Sequence, residues 1–482
     1  MSSVGIERAD VVIVGAGLAG LAAAVALSGA GARVTLLDRK PYVGGRAYSY
    51  LHPALEEEVD SQHVMLGCCT NLIDLCKLAG ADEHIRWYDR ITYLEPSEQE
   101  RPARQSVIGS HAVPAPSHST LSFLRAAMLG MRDKLAIARG MMEFLRGFPA
   151  TDEEPFSVWL KRTGQTELAI RHFWEPVVLA TLNDTFERSS TRYVGKVMHE
   201  MLLRNAKGSE LGIPTLPLST FYAAFVALAE TQGTTLRLRT SVTRLESQNN
   251  GVWRIHTADG GLVEAANVLL ALPFEQTATL LGTMPVSASV SAMREDLQRF
   301  VHAPITTIHL WFDREVTGLH HAALLDTRIQ WMFNKSLIRA GEPGGAGRAG
   351  QYLELTISGS FDEVRKTREA ILAPALEELS RFFPKVREAK LVKSGVLKEA
   401  RATFSVTPGL DRFRPLPDAL GDGLFLAGDW TRTGWPSTME GAVRSGRMAA
   451  VAISKELGCG REFVTPDLMP TGFMRLLARQ PL

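Results

Sequence analysis

The apolar and polar positions near the start of the chain predict a strand, a helix and a second strand in close succession. Asp10–Val14 is a short, continuous, β-branched run of the kind that forms a buried parallel strand. The alanine-rich stretch from Leu18 to about Ser28 predicts a helix, and Arg33–Leu37 repeats the strand pattern. Strands that alternate with helices are typical of an α/β fold, so we predict that class.

A glycine-rich turn, GAGLAG, lies between the first strand and the helix and has the spacing GxGxxG. Gly15 permits a tight turn, Gly17 lets the backbone approach a pyrophosphate, and Gly20 lets the helix lie close to the sheet. Asp38 follows the second strand, where its carboxylate can accept a hydrogen bond from a ribose hydroxyl. The unit predicts a dinucleotide site with contacts from Gly15, Ala16, Gly17, Leu18, Ala19, Gly20, Asp38 and Arg39.

A second pattern of strand, polar loop and helix lies near the other end of the chain. Leu424–Ala427 predicts a buried strand, which Gly428 and Asp429 end. Ser437 or Thr438 can cap the helix that follows. Both ends of the chain are therefore expected to meet around one cofactor. The expected contacts from this end are Gly428, Asp429, Thr438, Met439 and Ala442.

Two stretches in the middle of the chain also show strand patterns. Leu236–Glu246 and Gly251–Ala258 predict a hairpin with its turn at Asn249 and Asn250. Val268–Pro273 predicts a buried strand that ends at a proline. We expect these strands to extend the cofactor-binding sheet.

Length, charge and cysteine content add further constraints. A chain of 482 residues is too long for one ordinary core, so two domains are expected. The 53 Lys and Arg residues nearly balance the 52 Asp and Glu residues, which argues against nucleic-acid binding. Three of the four cysteines, Cys68, Cys69 and Cys76, crowd together without paired CxxC elements. They predict a reducing compartment and small buried side chains, and no metal site is predicted.

The sequence shows no pattern of a transmembrane span or a cleavable leader. The apolar run Val11–Leu27 contains the glycines of the predicted cofactor turn and lacks a basic leader, so we expect a cytoplasmic protein. Thr120–Gly147 is amphipathic and mostly basic. It predicts either a helix pair packed on its own domain or a peripheral contact with the inner face of the cytoplasmic membrane. Phe473–Arg479 repeats this pattern in the tail.

A second glycine turn follows Asp38 in the string DRKPYVGGRAYSY, where Gly44, Gly45 and Arg46 stand together. With the two ends of the chain, this turn resembles the flavin-containing amine oxidase and phytoene desaturase superfamily. The resemblance implies FAD as the cofactor, with the turn and Arg46 near its diphosphate and flavin. It also implies that the last helix directs its N-terminus at the flavin and that the backbone at about Val242 supports the adenine.

The same resemblance implies a Rossmann-type, GR2-like FAD-binding domain interleaved with an α+β substrate-binding domain. The FAD-binding domain is expected in residues 1–64, 226–285 and 396–458, and the substrate-binding domain in residues 65–225 and 286–395. Residues 459–482 form the expected C-terminal tail. Four aromatic residues are either liners of a substrate cavity or ordinary core residues: Trp174, Tyr222, Trp331 and Phe333.

Val59–Leu75 resembles the D-N-G/C-Q-H-x-x-L-G signature of the squalene-associated, FAD-dependent desaturase group, the hydroxysqualene dehydroxylases of hopanoid synthesis. Phe173–Asp184 and Ile213–Tyr222 resemble further stretches of that group. The implied reaction forms squalene by reductive dehydroxylation: reduced FAD delivers hydride from N5 to an allylic carbon while the hydroxyl leaves as water. A separate electron donor, which the sequence does not identify, must reduce the FAD.

His63 and Gln62 are the candidate catalytic residues of this stretch. Loss of hydroxide requires a proton donor, and the titration range of histidine suits a donor or donor-positioning role. The alternative is a buried histidine with a structural role only. The sequence departs from the group at Val59, Asp60 and Ser61, so Asp60 fills the acid position only after a one-residue shift.

Two other functions are consistent with the same fold. One is desaturation of a phytoene-like isoprenoid by oxidised FAD. The other is a non-catalytic escort for an isoprenoid lipid, although such a protein has no need of a complete flavin site. The expected partner in every case is an isoprenoid lipid. A soluble amine oxidase has less support, because no aromatic cage can be placed from the sequence.

Overall fold

The computed structural model describes residues 7–98, 103–248, 251–341 and 350–477. The predicted turn residues Asn249 and Asn250, and Arg479 of the tail, lie outside these ranges. Two seven-stranded sheets organise the described chain. The strands of the first sheet come from both ends and the middle of the sequence, which is why segments far apart in the chain meet in space.

The first sheet is mainly parallel and contains the predicted strand–helix–strand unit. Its strands lie in the order Thr235–Arg237, Val34–Leu37, Glu7–Val14, Leu262–Leu270, Trp253–Thr257 and Val242–Ser247, and Leu424–Leu426 also pairs with Leu262–Leu270. The antiparallel pairs of this sheet lie at one edge, where Trp253–Thr257 pairs with both Val242–Ser247 and Leu262–Leu270. Val34–Leu37 is buried at every position, as its continuous apolar run predicts for a parallel strand.

The prediction that Leu236–Glu246 forms one strand is wrong. The structure divides it into Thr235–Arg237 and Val242–Ser247, which lie at opposite edges of the first sheet. The division falls at Arg239, whose φ of 55° lies in the left-handed region. Thr235–Arg237 pairs in parallel with Val34–Leu37, so only the second piece forms the predicted hairpin.

Helices from the two ends of the chain pack against each other beside the first sheet. Leu18–Gly29 contacts both Leu218–Thr231 and Met439–Glu456. The second contact is close, because a Cβ on Gly446 would lie 2.0 Å from the carbonyl oxygen of Ala19. The helix after the first strand therefore packs on the helix after the last strand, and the predicted meeting of the two ends is confirmed.

The second sheet is mostly antiparallel. Its strands lie in the order Leu391–Phe404, His302–Phe312, Gln351–Ser358, Trp331–Asn334, His321–Leu324, Arg90–Glu95 and Arg104–Gly109. Two small sheets pair Tyr50–His52 with Glu57–Val59, and Leu211–Pro214 with Met65–Leu66 and Ile85–Tyr88. The long strand Leu391–Phe404 lies wholly in the second sheet, so the domain boundary predicted at residue 396 falls inside one of its strands.

The remaining helices surround these sheets. The α-helices are Thr70–Leu78, Thr120–Arg125, Met131–Phe144, Phe156–Arg162, Glu167–Ala169, Glu175–Leu182, Thr191–Met198, Phe274–Leu281, Ala288–Leu297, Lys335–Ile338, Arg368–Phe382 and Met474–Leu477, with π-helical turns at Ile170–Trp174 and His199–Leu203. Within the described ranges, every helix is too short or too polar to span a bilayer. Cys68, Cys69 and Cys76 are buried free thiols, as predicted.

Candidate active site

One continuous cavity of about 1190 Å³ lies between the two sheets. It exceeds the range of about 300–1,000 Å³ that is typical of small-molecule pockets, so it has room for a cofactor and a substrate together. Most of the predicted cofactor contacts line it, namely Gly15, Gly17, Leu18, Ala19, Asp38, Arg39, Gly44, Gly45, Arg46, Val242, Gly428, Asp429, Thr438, Met439 and Ala442. The structure brings these residues together from four separate parts of the chain.

The two glycine turns lie against each other at one end of the cavity. Gly17 forms a β-bridge with Gly44, and a Cβ on Gly45 would lie 3.0 Å from the Cα of Gly17. Gly15 has a φ of 110°, and a Cβ there would lie 2.4 Å from the carbonyl oxygen of Ala271. A side chain would clash at Gly15 and would crowd Gly17 if it were added at Gly45, so bare backbone faces the cavity there, as a pyrophosphate requires.

Asp38 lies at the end of the strand Val34–Leu37, and its carboxylate accepts two backbone hydrogen bonds. The N–H of Ala16 donates at 2.7 Å, and the N–H of Lys40 donates at 2.8 Å. Ala16 therefore holds Asp38 rather than lining the cavity. Gly20 also lies behind the wall, because a Cβ there would lie 1.9 Å from the carbonyl oxygen of Gly15. These two predicted contacts act by shaping the turn.

Arg46 and Asp429 connect the second glycine turn to the end of the last strand. Their side chains form an ion pair, and the other oxygen of Asp429 accepts the hydroxyl of Ser437. The next residue, Thr438, caps the helix Met439–Glu456 by accepting a first-turn N–H at 3.0 Å. The N-terminus of this helix lines the cavity at Met439, where its dipole stabilises negative charge.

His63 and Gln62, the two candidate catalytic residues, line the same cavity. Nδ1 of His63 donates to the carbonyl oxygen of Ser61 at 2.6 Å, since a carbonyl oxygen only accepts. In the neutral ring Nε2 is then an acceptor, and no described residue donates a hydrogen bond to it. Burial lowers the pKa of His63 and favours the neutral form. The structure thus favours a proton acceptor at His63 over the donor expected from the sequence.

A cluster of buried charged side chains supports the segment that carries His63. Nζ of Lys335 lies 2.8 Å from Asp60, 2.7 Å from the side-chain oxygen of Gln62 and 3.1 Å from Glu354. Glu354 accepts the backbone N–H of Gln62 at 2.5 Å, and Arg339 lies 3.2 Å from Asp60. We call these residues the Lys335 cluster. It fixes both the backbone and the side chain of Gln62.

The two carboxyl groups of the Lys335 cluster differ in protonation. Although burial opposes ionisation, Lys335 and Arg339 together hold the pKa of Asp60 below its usual range. Burial raises the pKa of Glu354 to about 7, against the attraction of Lys335. Asp60 is therefore an ionised partner of two cations, and it is not a source of protons near neutral pH.

The wall away from the glycine turns is mainly apolar. It includes Ile137, Met141, Phe173, Val177, Met201, Leu203, Trp331 and Phe333. Trp331 and Phe333 were aromatic candidates, and their rings stack with centroids 5.9 Å apart. The other two candidates, Trp174 and Tyr222, do not line the cavity and are core residues, 0% and 1% exposed.

Several residues of the site were not predicted from the sequence. Lys40 lines the cavity, donates to the carbonyl oxygen of Gly45 at 2.7 Å and lies over the ring of Tyr48. Its position two residues after Asp38 was an available signal. Lys335 and Glu354 had no such signal. Each lies in a separate helix or strand that carries no recognisable motif in the sequence.

Comparisons with known proteins give a consistent result. Residues 18–454 match the family model described as flavin containing amine oxidoreductase. The zeta-carotene desaturase of Synechocystis is 24% identical over 478 residues, which cover 92% of this chain and 96% of that protein. The 15-cis-phytoene desaturase of Synechococcus elongatus is 25% identical over 462 residues, with 92% and 95% covered. That of Solanum lycopersicum is 24% identical, with 93% and 78% covered.

Solved structures with similar folds include an oxidoreductase from Methanosarcina mazei, with a TM-score of 0.70, 18% identity and 91% and 98% of the two chains covered. Cyclohexylamine oxidase from Brevibacterium oxydans has a TM-score of 0.64, 18% identity and coverage of 93% and 99%. At these identities the likeness concerns the fold alone. It confirms the predicted α/β architecture, with a Rossmann-type cofactor domain and a substrate domain.

Proposed function

Because the chain belongs to the flavin containing amine oxidoreductase family and its cofactor is FAD, we propose that it carries out redox chemistry on an isoprenoid chain. The observation that carries the proposal is the single cavity, which joins the glycine turns to a long apolar wall. A linear hydrocarbon matches that wall because it buries apolar surface and needs few hydrogen bonds.

The residues of the cavity fit the cofactor. The bare backbone of Gly15, Gly17 and Gly45 suits a pyrophosphate, Asp38 suits a ribose, and the helix that begins at Met439 suits a flavin that gains negative charge. When bound, FAD supplies an acceptor or donor of two electrons beside the apolar wall. A non-catalytic lipid escort has no need of this set of residues.

Desaturation of a carotenoid-like hydrocarbon is the first candidate reaction. Zeta-carotene and 15-cis-phytoene desaturases are among the relatives of this chain. Formation of a double bond between two saturated carbons removes one hydrogen with its electron pair and one proton. We assign the proton to Nε2 of His63, which burial keeps neutral and able to accept it.

Reductive dehydroxylation of hydroxysqualene is the second candidate. Two of the stretches that resemble dehydroxylases, Val59–Leu75 and Phe173–Asp184, contribute residues to the cavity wall. In this reaction the hydroxyl leaves as water, so a group at the site must donate a proton. His63 would have to act in its protonated form, which burial disfavours. The two candidates therefore require opposite protonation states of one residue.

Product analysis under two conditions tests the proposal. The FAD-loaded protein is incubated anaerobically with a phytoene-type polyene and a quinone, and separately with hydroxysqualene and a chemical reductant. Mass spectrometry that finds a product short of two hydrogens supports desaturation, and squalene supports dehydroxylation. If neither isoprenoid turns over, the proposal is wrong. Turnover of a primary amine in a third incubation would then indicate an amine oxidase instead.

A further inference from the structure

The cavity reaches the protein surface between the helices Thr120–Arg125 and Met131–Phe144. Five apolar residues there both line the cavity and are exposed, and we call them the apolar rim: Leu124, Met131, Leu135, Ala138 and Met142. Four of them recur at helical spacing along one face of the second helix. Leu135 is 65% exposed and Met142 is 70% exposed. Apolar side chains therefore surround the opening and are exposed to solvent.

Exposed arginines border the apolar rim. Arg125 and Arg132 lie beside it on the same two helices, and Arg146 follows the second helix. No described residue forms an ion pair with any of the three. The nearby acids are already engaged, because Glu143 pairs with Arg162 at 2.9 Å and Asp133 accepts the N–H of Gly130. The surface around the opening thus carries uncompensated positive charge.

The tail of the chain adds a second exposed apolar patch, which we call the tail patch: Met469, Phe473 and Leu476, which are 73%, 72% and 84% exposed. Met474 is fully buried and anchors this segment. Gly472 packs closely on Ala115, since a Cβ there would lie 2.5 Å from its carbonyl oxygen. Ala115 lies five residues before the helix Thr120–Arg125, so the tail segment packs close to the start of that helix.

We propose that the apolar rim and the tail patch dock on an anionic lipid bilayer. The apolar side chains insert at the boundary between headgroups and acyl chains, and the arginines contact acidic headgroups. Because the rim also forms the opening of the cavity, an isoprenoid would pass from the hydrocarbon layer into the site without crossing water. This last step rests on the proposed function, whereas docking itself does not.

The charge of this surface favours a lipid bilayer over a second copy of this chain as its binding partner. A two-fold contact between identical rims would place Arg125, Arg132 and Arg146 of one copy near the same residues of the other. The two acids of the helix Met131–Phe144, Asp133 and Glu143, already have partners in the same molecule, so they offset that repulsion poorly. Acidic headgroups supply the missing opposite charge.

Sedimentation with lipid vesicles tests docking without reference to turnover. The FAD-loaded protein is mixed with vesicles of phosphatidylcholine alone and with vesicles that contain phosphatidylglycerol. We expect binding at least tenfold tighter to the anionic vesicles, weakened by salt. Each of Arg132→Gln and Arg146→Gln should weaken it about fivefold. The pair Leu135→Gln and Met142→Gln should weaken binding to both vesicle types by tenfold or more.

Val286→Gln is the matched control, because Val286 is 91% exposed and belongs to neither apolar surface. It should bind vesicles as the wild type does, and bound FAD should be equal in all variants. Docking is refuted by absent vesicle binding, by equal binding to both lipids, or by an equal loss in the control. It is also refuted if light scattering shows a dimer that the rim substitutions dissociate. Vesicle binding without turnover would uphold docking and reject the proposed function.

Discussion

Replacement of Lys335 by methionine tests the Lys335 cluster most directly. The side chain of Lys335 is 2% exposed, and those of Asp60 and Glu354 are 3% and 0% exposed. Methionine keeps much of the side-chain volume and removes the charge. The variant therefore leaves two neighbouring carboxyl groups in a desolvated site without the cation that lies between them.

The magnitude follows from what remains around the two carboxyl groups. Removal of one partner from a buried ion pair costs about 3–5 kcal/mol. Arg339 stays 3.2 Å from Asp60 and continues to compensate its charge. Glu354 can take up a proton, because burial already raises its pKa to about 7. Both effects reduce the cost, so we expect the free energy of unfolding to fall by about 3 kcal/mol at neutral pH.

Urea unfolding of the FAD-loaded protein, followed by circular dichroism, measures this change. The matched control is Lys366→Met, because Lys366 is 32% exposed and pairs with Glu363 near the surface, where such a pair contributes about 0–1 kcal/mol. Addition of Glu354→Gln to Lys335→Met should recover about 1 kcal/mol or more. A loss below about 1 kcal/mol in the single variant, or no recovery in the double variant, would refute the reasoning.

Three further predictions concern the site. His63→Ala should retain FAD and lose turnover about a hundredfold or more. The control His256→Ala, on the hairpin of the first sheet, should keep both its FAD and its turnover. Full activity of His63→Ala would remove His63 from the mechanism. If desaturation depends on neutral His63, its rate should stay constant as the pH is lowered from about 7, and should fall only at a pH below the usual histidine pKa. The reason is that burial lowers the pKa of His63. A rate that rises on acidification would indicate a proton donor. Glu354→Gln should gain stability relative to the wild type as the pH rises from about 5 to 8, by up to about 3 kcal/mol. The reason is that the raised pKa of Glu354 stabilises the folded protein only while the group is protonated; urea midpoints whose difference is independent of pH would contradict this.

The local parts of the cofactor site could be predicted from the sequence. Strand, glycine turn and helix follow one another between Glu7 and Gly29, and each depends on contacts within a few residues. The cap at Thr438 is equally local, since its hydroxyl accepts an N–H three residues later. For the same reason most of the residues named from the glycine turns line the cavity, whereas Ala16 and Gly20 lie behind its wall.

Contacts between distant segments could not be predicted in the same way. Leu236–Glu246 has the alternation of one strand, but its first part pairs across the sheet with Val34–Leu37, and the chain turns at Arg239 to reach the other edge. Hydrophobic period reports which face of an element is buried, and it does not report which strand lies beside it.

The tertiary structure alone decided the chemistry of the buried charges and the opening of the cavity. Asp60, Lys335 and Glu354 are ordinary polar residues in sequence, and only the meeting of three segments removes them from water and shifts their protonation. The exposure of Leu135 and Met142 likewise depends on where the cavity reaches the surface. Desolvation and charge proximity depend on distances in space, whereas a sequence pattern records only distances along the chain.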